Sequence, residues 1–184
     1  MASTYLTRTP ASAGNSLTFT ISMWVKRSEL SSSDWITRSA SGGDAGGMYF
    51  NTSNNLVAFW ETGGVANTNL VTNRVLRDIH AFYHIILEVD TTQATASNRL
   101  KLYINGEQET SFSTSTYPSQ NTNMHINKTN PLFIGTDSAG SANRWSGIMA
   151  HAHLTDGTAY DASYFGETDS TTGIWKPKTA PSVT

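Results

Sequence analysis

Cysteine is absent from the chain, which excludes a disulfide framework and thiol chemistry. Charge is scarce as well. Asp, Glu, Lys and Arg make up 14% of the residues, against about 25% in an average soluble domain. The formal net charge of −2 leaves no basic field to gather nucleic acid or anionic lipid. No apolar run approaches the ~18 residues of a membrane span, and the opening stretch, residues 1–8, has no apolar segment of signal-peptide length. Residues 42–47 hold glycines without the Lys-Ser/Thr of a phosphate loop. There is no Gly-x-Ser-x-Gly elbow to activate a serine nucleophile.

Ser, Thr and Asn fill the gap left by charge, together roughly a third of the chain. Hydrophobic alternation at period two recurs throughout, punctuated by Gly, Asn, Ser and Asp. In residues 17–26, Leu17, Phe19, Ile21, Met23 and Val25 fall on one face and Trp24 on the other. Residues 82–89 form the strongest candidate strand, apolar on both faces and therefore central. Asn105-Gly106 is a favoured two-residue hairpin turn between residues 99–104 and 107–112. Residues 34–38, 48–50, 56–60, 131–135 and 145–154 read as further strands, residues 41–47 as a flexible glycine loop, and residues 111–130 as a long polar loop or edge excursion. Asp161 is placed to cap a short helical turn. These signals predict an all-β fold, two antiparallel sheets packed as a jelly-roll sandwich. A chain of 184 residues is expected to form a single domain, residues 1–184, with residues 155–184 as an extended C-terminal segment.

Three stretches together carry a family resemblance. They are Phe19-Thr20-Ile21-Ser22-Met23-Trp24-Val25-Lys26, then Tyr83-His84 through Leu102-Tyr103-Ile104-Asn105-Gly106, then Leu132-Phe133-Ile134-Gly135 with Trp145-Ser146-Gly147-Ile148. In this order they resemble the laminin-G-like, concanavalin A-like sandwich. The ends, residues 5–15 and 165–178, are similar to the opening and closing signatures of structural proteins from tailed bacteriophages. That resemblance implies a virion protein on a capsid or tail surface, made in the host cytoplasm without a signal peptide and released by lysis. Longer relatives continue past the Trp175-Lys176-Pro177-Lys178 stretch, so a small decoration or accessory subunit is expected rather than a whole tail fibre. Implied partners are other virion subunits and cell-surface glycans, with homo-oligomers, trimers by analogy, and neither nucleic acid nor membrane insertion.

The residues also allow chemistry to be weighed. Sandwiches of this shape include glycosidases, which need two carboxylates ~5 Å apart or somewhat more. Glu167 and Asp169 form the close acidic pair of that kind, yet they lie in a Gly/Ser/Thr-rich terminal segment, so a non-enzymatic protein is expected, without catalytic residues. His151 and His153, at i and i+2 beside Met149, are metal candidates. Asp34, Asp44 and Asp137 are candidates for a calcium rim, although no packed Asp/Asn cage supports one and no cofactor is expected. Trp24, Trp35, Tyr49 and Trp60 are the candidate glycan-stacking residues, since an exposed ring can cover a sugar face. A phage structural protein is the first reading, a free carbohydrate-binding lectin the second and a glycan hydrolase the third.

Overall fold

The computed structural model describes residues 4–30, 34–138 and 143–183. Along the chain run β1 (Leu6–Arg8), β2 (Thr18–Arg27), β3 (Asp34–Ser41), β4 (Asp44–Phe50), β5 (Asn55–Thr62), β6 (Val65–Val75) and β7 (Tyr83–Asp90). They are followed by β8 (Leu100–Ile104), β9 (Glu107–Glu109), β10 (Phe112–Thr116), β11 (Leu132–Ile134), β12 (Gly147–Asp156), β13 (Gly166–Thr168) and β14 (Trp175–Pro177). Seven strands in the order β1-β11-β3-β4-β5-β6-β10 form one sheet and five in the order β12-β2-β7-β8-β9 the other, with β13 and β14 as a separate ribbon. Every pairing is antiparallel. The all-β sandwich read from the alternation is the observed fold. Among the described residues no helix is long and apolar enough to cross a membrane.

The core lies between the sheets and follows the period-two pattern. Phe19, Ile21, Met23 and Val25 of β2 and Tyr83, Ile85, Leu87 and Val89 of β7 face Ile36, Met48, Phe50, Leu56, Ala58 and Leu70 of the larger sheet. Asn105 and Gly106 both take positive φ at the β8–β9 turn, the conformation that makes Asn-Gly favoured there. Asp161 caps its short helical turn, accepting a hydrogen bond from the Ser163 backbone N–H.

Two segments depart from the sequence reading. β6 gives little apolar signal because two of its buried positions are Thr68 and Thr72, with Leu70 between them. The expected flexible loop at residues 41–47 is instead a tight turn at Gly42 and Gly43 followed by strand. Gly46 and Gly47 are strand residues because neighbours occupy the space of a side chain. A Cβ on Gly46 would stand 1.9 Å from Trp60 Nε1, and one on Gly47 2.0 Å from the Thr37 carbonyl oxygen. Gly46→Ala is accordingly expected to destabilise the fold by about 1–3 kcal/mol through overpacking, measurable as a lower urea midpoint.

Polar anchors pin both ends of the sandwich. Arg27, fully buried at the end of β2, donates from Nε and Nη2 to Asp34 Oδ2 at 3.1 and 2.7 Å. Its Nη1 donates to Asn54 Oδ1 and the Leu76 carbonyl, and its guanidinium lies 4.6 Å over the Phe50 ring. At the C-terminus, Ala162, Phe165 and the half-buried Trp175 pack on Ile86 and Tyr103, on the outer face of the five-stranded sheet. The segment from Asp161 through β14 therefore forms a strap across that face.

Candidate functional site

Side chains of β3, β4, β5 and β6 alternate between the core and the outer face of the seven-stranded sheet. Tyr49 lies opposite Trp35 and Val57 in register, and its ring stacks on Trp35 with centroids 4.6 Å apart. Phe59 meets both rings edge-on, at 5.7 Å from Trp35 and 6.0 Å from Tyr49. A bulge between Trp35 and Thr37 lets Trp35 stay outside while both Ile36 and Thr37 turn inward. Arg38, next on the outer face, holds its guanidinium 5.0 Å from the Trp35 ring and 3.9 Å from Asp137. Gly47 separates Arg38 from Phe59 across the sheet, and Asn69 follows Phe59.

This patch combines aromatic rings with a guanidinium and a neutral amide, both able to hydrogen-bond. Two of its polar atoms, Arg38 Nε and Asn69 Oδ1, are buried without a hydrogen-bond partner, a cost carried by the folded chain. Burial also pushes the Tyr49 hydroxyl above its ordinary pKa, so it remains a neutral donor and acceptor at physiological pH. Such a surface can stack a sugar ring and read its hydroxyls.

The sequence-derived candidates are scattered. Trp35 and Tyr49 stand together in the patch, where Trp35 is 7% exposed, covered by the Tyr49 ring and the Arg38 guanidinium. Tyr49 is thus the accessible one of the two; Trp24 and Trp60 lie elsewhere. Trp60 points into the core, because β5 turns Leu56, Ala58 and Trp60 inward and Gly46 leaves room for the indole. Trp24 does face outward, on the other sheet, but it is 8% exposed and stacked on His84 at 4.7 Å. Neither ring offers a free face to a ligand. Phe59, Arg38 and Asn69 were not singled out from sequence. The alternation of residues 56–60 could have revealed Phe59, since it puts that residue opposite in phase to Trp60.

The metal candidates separate as well. A bulge between Ala150 and His153, with His151 at φ 48°, breaks the i, i+2 relation expected of the two histidines. Met149 packs against the core, while His153 lies opposite Ser22 and its ring meets Phe165 of the strap at 5.6 Å. Asp34 is held by Arg27. Asp44 accepts from the Gly63 N–H and lies 3.5 Å from His125. Asp137 accepts from Asn143 Nδ2. Among the described residues, no three His, Cys, Asp or Glu side chains converge as a metal ion requires. Glu167 and Asp169, the acidic pair, share Lys176 at 3.6 and 2.9 Å on the exposed ribbon. Lys176 and neighbouring N–H and hydroxyl groups hold the Asp169 carboxyl far below the usual carboxylate range, the reverse of what a general acid needs.

Beneath the strap, Trp175 Nε1 donates to His84 Nδ1 at 2.9 Å. His84 Nδ1 is therefore the acceptor nitrogen, and Nε2 carries the proton toward Ser22 Oγ, 2.9 Å away. Burial, with a smaller contribution from His153 and then His151, pushes the His84 pKa down to about 3.

This architecture has a family. The chain belongs to the concanavalin A-like lectin/glucanases superfamily, whose model matches residues 2–162. No curated protein matches it by sequence. A heptameric SAP-like pentraxin from Limulus polyphemus is similar in structure, with a TM-score of 0.58 at 15% identity over 84% of this chain and 70% of that one. Domain 4 of an extracellular arabinanase from Geobacillus stearothermophilus, solved with arabinotriose, follows at 0.56 and 14% over 79% and 64%. The enzymatically active domain of tailspike protein 2 from bacteriophage CBA120 gives 0.55 and 12% over 86% of this chain and 25% of that one. At these identities the likeness is one of fold. Members of the fold include both enzymes and binding proteins.

Proposed function

We propose that this domain is a non-catalytic binding module of a tailed-phage particle, a decoration or fibre subunit that meets glycans through the outer face of its seven-stranded sheet. The observation that carries the binding reading is the outer-face aromatic patch in which half-buried Tyr49 and Phe59 pack over Trp35, flanked by Arg38 and Asn69. Tyr49 and Phe59 supply apolar surface for pyranose stacking, and the amide and guanidinium supply directional bonds without a reacting group. The phage setting is supported by the resemblance of residues 5–15 and 165–178 to virion proteins. The second of those signatures is part of the fold, since its Trp175 is the residue bound to His84.

A glycan array probed with the intact chain and with Tyr49→Ala and Phe59→Ala tests the binding surface. Each variant is expected to bind about tenfold more weakly, the loss typical of a stacking anchor, while retaining a cooperative thermal transition. Wild-type affinity in both variants, or no glycan bound by the parent chain, would overturn the assignment. Copurification in fixed stoichiometry with capsid or tail subunits supports the particle setting. Glycan binding by a chain that never joins particles would make it a free lectin instead.

A further inference from the structure

The two long edges of the sandwich are built differently. On one, β9 and β10 are joined through Thr110 and Ser111, and Phe112 packs on the core, closing the gap between the sheets. On the other, β1 and β12 are the last strands of their sheets, and a cleft of about 410 Å³ opens between them. That volume lies within the ~300–1,000 Å³ of small-molecule sites. Ile21 and Met23 belong to its lining together with Leu132, Ile134 and Leu154, so an apolar chain entering it would extend the core. Leu6 stands at the lip, 65% exposed, although its register partner Ile134 packs inward.

We propose that this cleft binds a free single-chain anionic amphiphile, a long alkyl carboxylate being the simplest form. The charge pattern selects the sign. Among the described residues, no acidic side chain lines the cleft, and Arg8 is the one permanently charged residue there. Arg8 lies opposite Leu132 as Leu6 lies opposite Ile134, so it shares the cleft-facing side of β1 with Leu6. A guanidinium at the mouth of an apolar slot is complementary to a carboxylate on an apolar tail. An inserted peptide strand fits less well, because the bulge in β12 and the left-handed His151 interrupt the edge a strand would pair with.

The test is displacement of cis-parinarate from the intact chain by dodecanoate, with dodecanol and dodecyltrimethylammonium as neutral and cationic counterparts. Saturable one-to-one binding is expected, tightest for dodecanoate. Arg8→Glu should weaken dodecanoate about tenfold and leave dodecanol unchanged, with Arg8→Gln intermediate. Ala152→Phe, which adds bulk to the lining, should weaken both. Circular dichroism and thermal melts establish that the variants fold. Absence of saturable binding, equal affinity for the three amphiphiles, or an Arg8→Glu chain that binds dodecanoate normally would overturn the proposal. So would equal binding to anionic phosphatidylglycerol vesicles, which would indicate a bilayer surface. A parent chain that dimerises by light scattering and becomes monomeric with Leu6→Glu would give the cleft to a second copy and likewise overturn it.

Discussion

Replacing Arg27 with Ala is expected to lower the unfolding free energy by about 3–5 kcal/mol, read as a large fall in the urea midpoint at an unchanged slope. The reason lies in what remains. Both members of the Arg27–Asp34 pair are buried, and truncation strands the Asp34 carboxylate away from water. It also removes donors from Asn54 Oδ1 and the Leu76 carbonyl and empties the space over Phe50. Burial already raises the Asp34 pKa against the lowering influence of Arg27. Without Arg27 that pKa rises further, and a raised carboxyl pKa favours the folded state as pH falls. The deficit of the variant should therefore narrow between pH 7 and about 4, near the unfolded value. The double variant Arg27→Met with Asp34→Leu should recover most of the loss, as apolar replacements of buried ion pairs commonly do. A single variant within 1 kcal/mol of the parent would show that the pair does not hold this end of the sandwich.

Acid should loosen the other anchor. His84 is buried and neutral, with its pKa pushed down to about 3, whereas a histidine in the unfolded chain titrates near 6.5. Between those values the unfolded chain takes up a proton that the folded chain refuses. Stability contributed by His84 is therefore fully present above pH ~6.5 and declines as pH falls toward 3, by on the order of 4 kcal/mol across the window. His125 and His153 are also shifted downward by burial and act in the same direction. His84 adds a specific consequence: protonating Nδ1 removes the acceptor for Trp175 Nε1–H. Tryptophan fluorescence should report release of the strap before or with global unfolding. His84→Gln should flatten the stability profile between pH 6.5 and 4. An unchanged profile would rule out His84 as the titrating group.

How far the fold could be read in advance depended on what fills each strand. β2 and β7 place large apolar residues at every inward position, so their alternation is unmistakable. β6 has the same geometry with threonine at two buried positions, where the methyl group packs but hydropathy registers a polar residue. Gly46 and Gly47 resemble a loop until the Trp60 ring across the sheet is known. The candidate site was half legible for a related reason. Trp35 and Tyr49 are rare, large side chains and attract notice in any sequence. Which face Trp60 takes depends on strand phase, and the separation of His151 from His153 depends on a bulge that no residue type announces. Arg38 and Asn69 acquire meaning only from the strands that bring them beside Phe59.

The strand order also bears on how the protein is made. β2 finds one partner in β7 and the other in β12, so one side of it waits for a strand that follows more than a hundred residues later. A nascent polypeptide on the ribosome would leave that edge of β2 unpaired until residues 147–156 had emerged. Pairings this distant in sequence slow folding and prolong exposure to aggregation. Overproduction should therefore favour slow translation and low temperature, and fragments that stop before β12 should be recovered as insoluble material.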